Sequence, residues 1–299
     1  MENNFSNEFL RRELETAIEA ARAAGAAIME IYRAGFVVEE KIGIDNFAEP
    51  VTEADRRASR IIVEHLRREF PDDGVLSEEE QDAPLERTEK TRVWMIDPID
   101  GTNGFVSKTG DFAVQIGLAI EGAAILGVVF EPLINRLFWA IKGAGAWLVL
   151  PEREPQKLRV SEIADFELMT LAASRSHRSP RMSRIVKTFG FKREIQRGSV
   201  GVKVGLLSMR ECDVYIHLSP RTKQWDTCAP QIILEEAGGT MTDLFGKPII
   251  YNTADVQNHN GVVSSNGESH YAIITELKPL LREFGRYRIK SAKSETRTK

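Results

Sequence analysis

Trp94-Met95-Ile96-Asp97-Pro98-Ile99-Asp100-Gly101-Thr102 is the stretch whose reading decides the fold. Trp94 to Ile96 reads as a buried strand, and Pro98, which brings no N–H to a strand ladder, is expected to turn the chain. That places Asp97 and Asp100 at a strand end, close enough to share or bracket cations. Hard divalent ions such as Mg²⁺ take carboxylate oxygens and keep some waters. Two of them about 3.5–4 Å apart can clamp the attacking and leaving oxygens of an in-line displacement. Asp100-Gly101-Thr102 reads as the entrance to a short helix, where backbone N–H groups could hold phosphate oxygens and Gly101 permits close approach. A bare Asp-x-x-Asp is more often a capped turn with surface acids; the Pro, Gly and Thr of the full string favour a site.

Two further acidic segments join it. Upstream, Ser77-Glu78-Glu79-Glu80 follows the apolar Val75-Leu76; alone it would be a solvated loop. Downstream, Trp225-Asp226-Thr227-Cys228-Ala229-Pro230 leads into an apolar helix expected over Thr227–Ala237 and ended by Gly238-Gly239. Asp226 reads as the N-cap of that helix, a complete structural role in itself, although its second oxygen could face a metal.

Around these segments the pattern divides the chain. A helix is expected from about Glu8 to Arg33, with Gly35 past its end, and a second from the N-cap Thr52, with Asp55 three residues on, to Phe70. Phe112–Ile120 and Ala123–Phe130 flank Glu121-Gly122, and Arg136–Ile141 and Ala146–Leu150 flank residues 142–145, as two hairpins. Pro151 to Pro155 reads as a linker. Beyond it strand and helix signals alternate: Leu168–Ser174, Pro180–Phe189, Val200–Met209 and Val214–Leu218. The expected organisation is an α+β domain over 1–152 with most metal ligands, an α/β substrate domain over 153–285 supplying Asp226, and a disordered basic tail over 286–299.

Composition narrows the function. Of 299 residues, 42% are hydrophobic and 28% charged, with a net charge of −4 and no basic run inside the folded region. A nucleic-acid partner is not expected, because phosphate neutralisation needs clustered Lys and Arg; a small anion needs only a local site. Cys212 and Cys228 form neither a metal pair nor a disulfide framework and read as reduced thiols. The N-terminus has no apolar signal core, and the longest apolar stretch, from Phe112 to Ile134, is broken by Gln115, Glu121, Glu131 and Pro132. No membrane association is expected, and the location is expected to be cytoplasmic. Five histidines without clustering argue against zinc.

The two long motifs, WMIDPIDGT and WDTCAP with the following EEAGG, resemble the inositol monophosphatase superfamily, and the resemblance runs from the first helix to Asn266. It implies an α-β-α-β-α layered sandwich and a Mg²⁺-dependent, Li⁺-sensitive phosphatase using two or three ions. It implies that Glu78, Asp97 and the Ile99 carbonyl hold one ion, and that Asp97, Asp100 and Asp226 hold another. Thr102, hydrogen-bonded to Asp55, would orient the attacking water; Gly101 and Thr102 would bind phosphate. Lys41 falls near the place of a family lysine, although the segment Glu39 to Val51 departs from the usual spacer.

Ser174-Arg175-Ser176-His177 and Arg197-Gly198-Ser199-Val200-Gly201-Val202-Lys203 resemble the 3′(2′),5′-bisphosphate nucleotidase branch. That implies nucleotide contacts at Ser174, His177, Ser199 and Lys203, with His177 against adenine and Lys203 at the retained phosphate. The implied substrate is adenosine 3′,5′-bisphosphate, formed during sulfate activation and cut to AMP. Taken as residues alone, His177 reads equally well as a surface side chain and Ser199 as a helix start. Two rivals stand beside this reading: an inositol-phosphate or sugar-phosphate (fructose 1,6-bisphosphate) phosphatase, and a silent protein that senses nucleotide or metal. The resemblance also makes a homodimer plausible.

Overall fold

The computed structural model describes residues 10–43, 46–175 and 179–289. It begins with α1 (Arg11–Ala34), a short hairpin β1 (Glu39–Ile42) and β2 (Ala48–Val51), and α2 (Glu53–Glu69). The capping signal at Thr52 is realised: Thr52 Oγ1 accepts from the Ala54 N–H, and Asp55 Oδ2 accepts from the Thr52 N–H at 2.8 Å. Then come β3 (Gly74–Ser77), α3 (Pro84–Arg87), β4 (Arg92–Asp100), α4 (Thr102–Val106), β5 (Ala113–Ile120), β6 (Ala123–Glu131), β7 (Arg136–Ile141), β8 (Gly145–Val149) and β9 (Gln156–Lys157). Strands β3 to β9 form one seven-stranded sheet in chain order, parallel at β3–β4 and antiparallel elsewhere. Both expected hairpins lie within it.

The second half contributes β10 (Thr170–Ser174), α5 (Pro180–Phe189), β11 (Arg193–Arg197), α6 (Val200–Ser208), β12 (Val214–His217), α7 (Gln224–Glu236), β13 (Thr240–Thr242), β14 (Val262–Ser265) and α8 (His270–Glu283). Its five-stranded sheet has the order β11-β10-β12-β14-β13. Three apolar clusters fill the spaces between layers. One lies between α1, α2 and the first sheet, with Ile28, Ile62, Trp94 and Ile116. Another lies between the sheets around α6 and α7, with Met95, Val204, Tyr215 and Ile232. A third lies between the second sheet and α5 and α8, with Leu171, Ile216, Ile273 and Leu277. Alternation along each strand sends successive side chains to opposite spaces, as for Ile216 and Tyr215. The result is the expected α-β-α-β-α sandwich. Among the described residues no helix is long and apolar enough to cross a membrane. Both cysteines are buried free thiols.

Two local expectations change. Pro98 does not end the strand: β4 runs through it to Asp100, with a bulge in the β5 register between Asp97 and Asp100. The β3 pairing already stops at Ile96, so the missing N–H of Pro98 falls where no ladder bond is needed. Asp226 is not the N-cap of α7. The helix starts at Gln224, and Asp226 is its third residue, accepting from the N–H of the cap residue Lys223 at 2.6 Å. His177 and the tail residues 290–299 lie outside the described residues.

Candidate active site

Strand parity brings the acids together. Val93 and Met95 face the space between the sheets, so Asp97, next in that series, faces it too, toward the first turn of α7. Asp97, Asp100 and Asp226 place carboxylate oxygens within 4.8 Å of one another. They open into a cleft of about 350 Å³ that is also lined by Glu78, Gly101 and Thr102. Glu78 stands on the same cleft but is turned toward Lys41, whose Nζ donates to it at 2.9 Å and also to Glu79. Asp97 Oδ1 accepts from the Ile99 N–H at 3.0 Å, which fixes that carboxylate across the bulge.

The electrostatics are those of an over-full acid site. Burial, then the charges of Glu78, Asp100 and Asp226, raise the Asp97 carboxyl well above its usual range. Burial lifts Asp100 to about 6 against hydrogen bonds from Ser199 and Gly201 and the charge of Lys203. Burial, then Asp100 and Glu78, lift Asp226 to about 7. Glu79 is raised to about 7 by burial and by Glu78. Burial disfavours the Lys41 charge, but Glu78 and Glu79 more than offset it and hold its pKa above the usual value. The donors in the cluster are carboxylate oxygens, with neither thiolate nor imidazole, so it suits a hard divalent cation.

Beside the acids, Gly101 adopts a left-handed conformation at φ 92° and starts α4. An added Cβ would lie 2.5 Å from the Asp111 carbonyl oxygen, so glycine is required there. Thr102 Oγ1 lies 3.1 Å from the Ile99 carbonyl oxygen and 3.4 Å from Asp55 Oδ1. Burial raises Asp55 to about 6, against its bonds from Thr52.

The expected nucleotide residues are distributed differently from the cleft acids. Ser199 caps α6, accepting from the Val202 N–H, and its hydroxyl donates to Asp100 Oδ2. Lys203 is 1% exposed, and its Nζ donates to the carbonyls of Gly198 at 2.8 Å and Arg197 at 3.4 Å. Burial lowers it to about 8 while Asp100, Asp111 and Asp226 pull it up, so it is the internal counter-charge of the acids. Ser174 lines a second cavity of about 470 Å³ that shares His217 and Ser219 with the cleft. Gly201, whose N–H donates to Asp100 Oδ2 at 2.8 Å, escaped the sequence reading. So did Glu49, which faces Arg221 and Lys223 at the cleft wall. A small residue two places after a serine cap was the available signal for the first; the hairpin pairing that places Glu49 left none.

A layered α/β fold with a cluster of carboxylates in a cleft at the seam of its two large sheets has the donor set of a metal-dependent enzyme. The inositol monophosphatase family model matches residues 10–282, and the chain belongs to that family of phosphatases. The chain is 34% identical over 241 residues to a 3′(2′),5′-bisphosphate nucleotidase CysQ of Aggregatibacter actinomycetemcomitans, covering 80% of this chain and 87% of that one. It is 30% identical over 240 residues to the Nus factor SuhB of Escherichia coli K12, covering 78% and 85%. Among solved structures, the Thermotoga maritima IMPase superposes with a TM-score of 0.76 at 28% identity, over 92% of this chain and 100% of that one. CysQ from Bacteroides thetaiotaomicron gives 0.72 at 28% identity, over 87% and 99%.

Proposed function

We propose that the protein is a Mg²⁺-dependent nucleotidase that removes the 3′-phosphate of adenosine 3′,5′-bisphosphate, giving AMP and phosphate. The observation that carries this is the adjacency of two spaces: the cleft of Asp97, Asp100 and Asp226 and a larger cavity of about 470 Å³ have His217 and Ser219 in common in their walls. The relatives named as 3′(2′),5′-bisphosphate nucleotidases support the choice of ester. In a cell such an activity would clear the bisphosphate left by sulfate activation.

Glu78, Asp97, the Ile99 carbonyl, Asp100 and Asp226 would hold two or three Mg²⁺ ions, which supply Lewis acidity and a water nucleophilic near neutral pH. Thr102 has one hydroxyl proton and two acceptors for it, Ile99 O and Asp55 Oδ1, so what it offers the cleft is a lone pair. That lone pair accepts a hydrogen bond from the attacking water and orients it, and Asp55, through Thr102, is the acceptor toward which the proton moves. Gly101 and Thr102, at the cleft wall, offer backbone N–H groups to the phosphate.

A second reading, hydrolysis of an inositol or sugar monophosphate, is favoured by the superposition on the Thermotoga maritima IMPase. Phosphate release in Mg²⁺ from adenosine 3′,5′-bisphosphate, inositol 1-phosphate and fructose 1,6-bisphosphate separates the two. The nucleotide is expected to win by about 100-fold in kcat/KM, equivalent to roughly 2.7 kcal/mol. A win by inositol 1-phosphate would keep the acid site and remove the nucleotide; no turnover of any of the three would sink both.

A further inference from the structure

Of the four residues that interrupt the apolar stretch from Phe112 to Ile134, three have a plain structural reason. Glu121 takes a left-handed place in the β5–β6 turn at φ 51°, Pro132 lies in the β6–β7 turn, and Glu131 pairs with Arg136 at 2.7 Å. Gln115 has none. It stands in β5, fully buried, and among the described residues neither its Oε1 nor its Nε2 has a hydrogen-bond partner. An amide taken out of water without a partner weakens a fold, and an apolar side chain of the same size would pack better.

Its position points to the acids. Gln115 is the register partner of Asp97 on β4, so both side chains leave the sheet on the same face, toward the space between the sheets. A Cβ added to Gly201, in the first turn of α6, would lie 3.2 Å from Gln115 Oε1. The Gly201 N–H is the group that donates to Asp100 Oδ2. The amide therefore lies beside the acid cluster, next to the strand that carries Asp97 and to the helix start that holds Asp100. Each acid has an oxygen fixed by a donor: Asp97 by the Ile99 N–H, Asp100 by Ser199 and Gly201, Asp226 by the Lys223 N–H. Asp97 takes its donor from its own strand, yet it serves both ions in the ligand set above.

We propose that Gln115 is a positioning residue for the cation site: with ions bound, its Nε2 donates to the Asp97 carboxylate and fixes the direction of the lone pairs that meet them. The proposal rests on the reading of Asp97 as a cation ligand. An amide nitrogen suits the task, because it brings a donor to an acceptor-only carboxylate without adding charge. Partners of this kind orient ligating carboxylates, and their loss weakens metal binding. Amide and carboxylate are not bonded in this structure. Side chains directly opposite on paired strands have Cβ atoms about 4.5–5.5 Å apart, so a rotation of the Gln115 side chain is enough to close the bond.

The test measures Mg²⁺ binding by titration calorimetry and stability by thermal melts in EDTA, on the same preparations. Gln115→Met and Gln115→Leu remove both polar atoms and keep most of the volume. Both variants are expected to melt at or above the wild-type temperature in EDTA, because an unpaired amide is gone. Their Kd for Mg²⁺ is expected to rise about 10-fold. Firmer folding with weaker ion binding is a combination that a residue needed only for packing does not produce. A Kd within about twofold of wild type in both variants overturns the proposal. So does a lower melting temperature in EDTA for both, which would give the amide a structural role without the ions. Wild type that binds no Mg²⁺ brings down the metal-site reading itself, an outcome distinct from variants that bind the ion as wild type does.

Discussion

Asp226 combines two duties in one carboxylate. Its Oδ2 accepts the Lys223 N–H that opens α7, while its charge is set against Asp97 and Asp100 within 4.8 Å. Asparagine keeps an acceptor for that N–H and removes the charge. Asp226→Asn is therefore expected to melt higher than wild type in EDTA, by roughly 1 kcal/mol, because one repelling acid is gone. Added Mg²⁺ should stabilise wild type by mass action and the variant less, because only the ion on Asp97, Asp100 and Asp226 loses a ligand while the one on Glu78, Asp97 and the Ile99 carbonyl keeps its set. Thermal melts with and without Mg²⁺ measure both; a variant that still gains from Mg²⁺ like wild type removes Asp226 from the ligand set. His270 is the opposite kind of residue, a buried neutral ring with Nε2 2.9 Å from Thr242 Oγ1 and Nδ1 2.8 Å from Ser265 Oγ. Burial lowers it to about 4 from the ordinary 6.5. As pH falls below about 6.5 the unfolded chain takes up the proton first, so the His270 contribution is complete above that pH and lost on the way to 4. The difference in unfolding free energy between wild type and His270→Gln should shrink by about 2–3 kcal/mol from pH 7.5 to pH 4.5. Urea titrations at the two values measure it, and a constant difference contradicts the lowered pKa.

The elements meet the site through α7, which belongs to the second half of the chain but lies on the first sheet. Gly117 and Gly127 are register partners on β5 and β6, and together they cut a groove for it. A Cβ on Gly117 would lie 2.7 Å from Cys228 Sγ, and one on Gly127 2.5 Å from the Ala229 carbonyl oxygen. Inside α7, Pro230 cannot donate to the Asp226 carbonyl four residues earlier, so the first turn depends more on the sheet and on Lys223 than an ordinary helix start would. Gly127→Ala must push backbone, and is expected to cost about 1–3 kcal/mol of stability. Because α7 carries Asp226, activity measured well below the melting temperature should fall too. Melting and kcat on the same preparation test this; full activity with lowered stability would show that the helix can shift without moving the acid.

At the scale of the whole molecule, Arg87 ties the approach to β4 to the segment that holds the start of α7. Its buried guanidinium donates to both oxygens of Asp82 at 2.8 and 2.9 Å, to Asn252 Oδ1 at 2.9 Å and to the Thr253 carbonyl at 3.2 Å. Asn252 in turn donates its N–H to Gln224 Oε1, in the first turn of α7. Arg87→Met fills the volume and strands the Asp82 carboxylate, at an expected loss of about 3 kcal/mol or more. Urea unfolding would register it, and a change under 1 kcal/mol would mean that the contact is not structural. Much of this architecture could be read along the chain. The two hairpins follow from turn residues between alternating apolar runs, and the Thr52–Asp55 cap from four consecutive residues, because in both cases the cause lies within hydrogen-bond reach along the sequence. The acids were legible for a related reason: cation chemistry restricts the residue types, and the turn residues around Asp97 and Asp100 mark them out. What the tertiary structure alone decided is how distant segments share space. It made Pro98 part of a bulge rather than a stop, moved Asp226 from cap to third residue, withdrew Lys203 from the cleft wall, and set Gln115 opposite Asp97. Each of those outcomes depends on which face of a sheet meets which helix, and on charges far apart in sequence competing for one buried volume, neither of which a local pattern of residues carries.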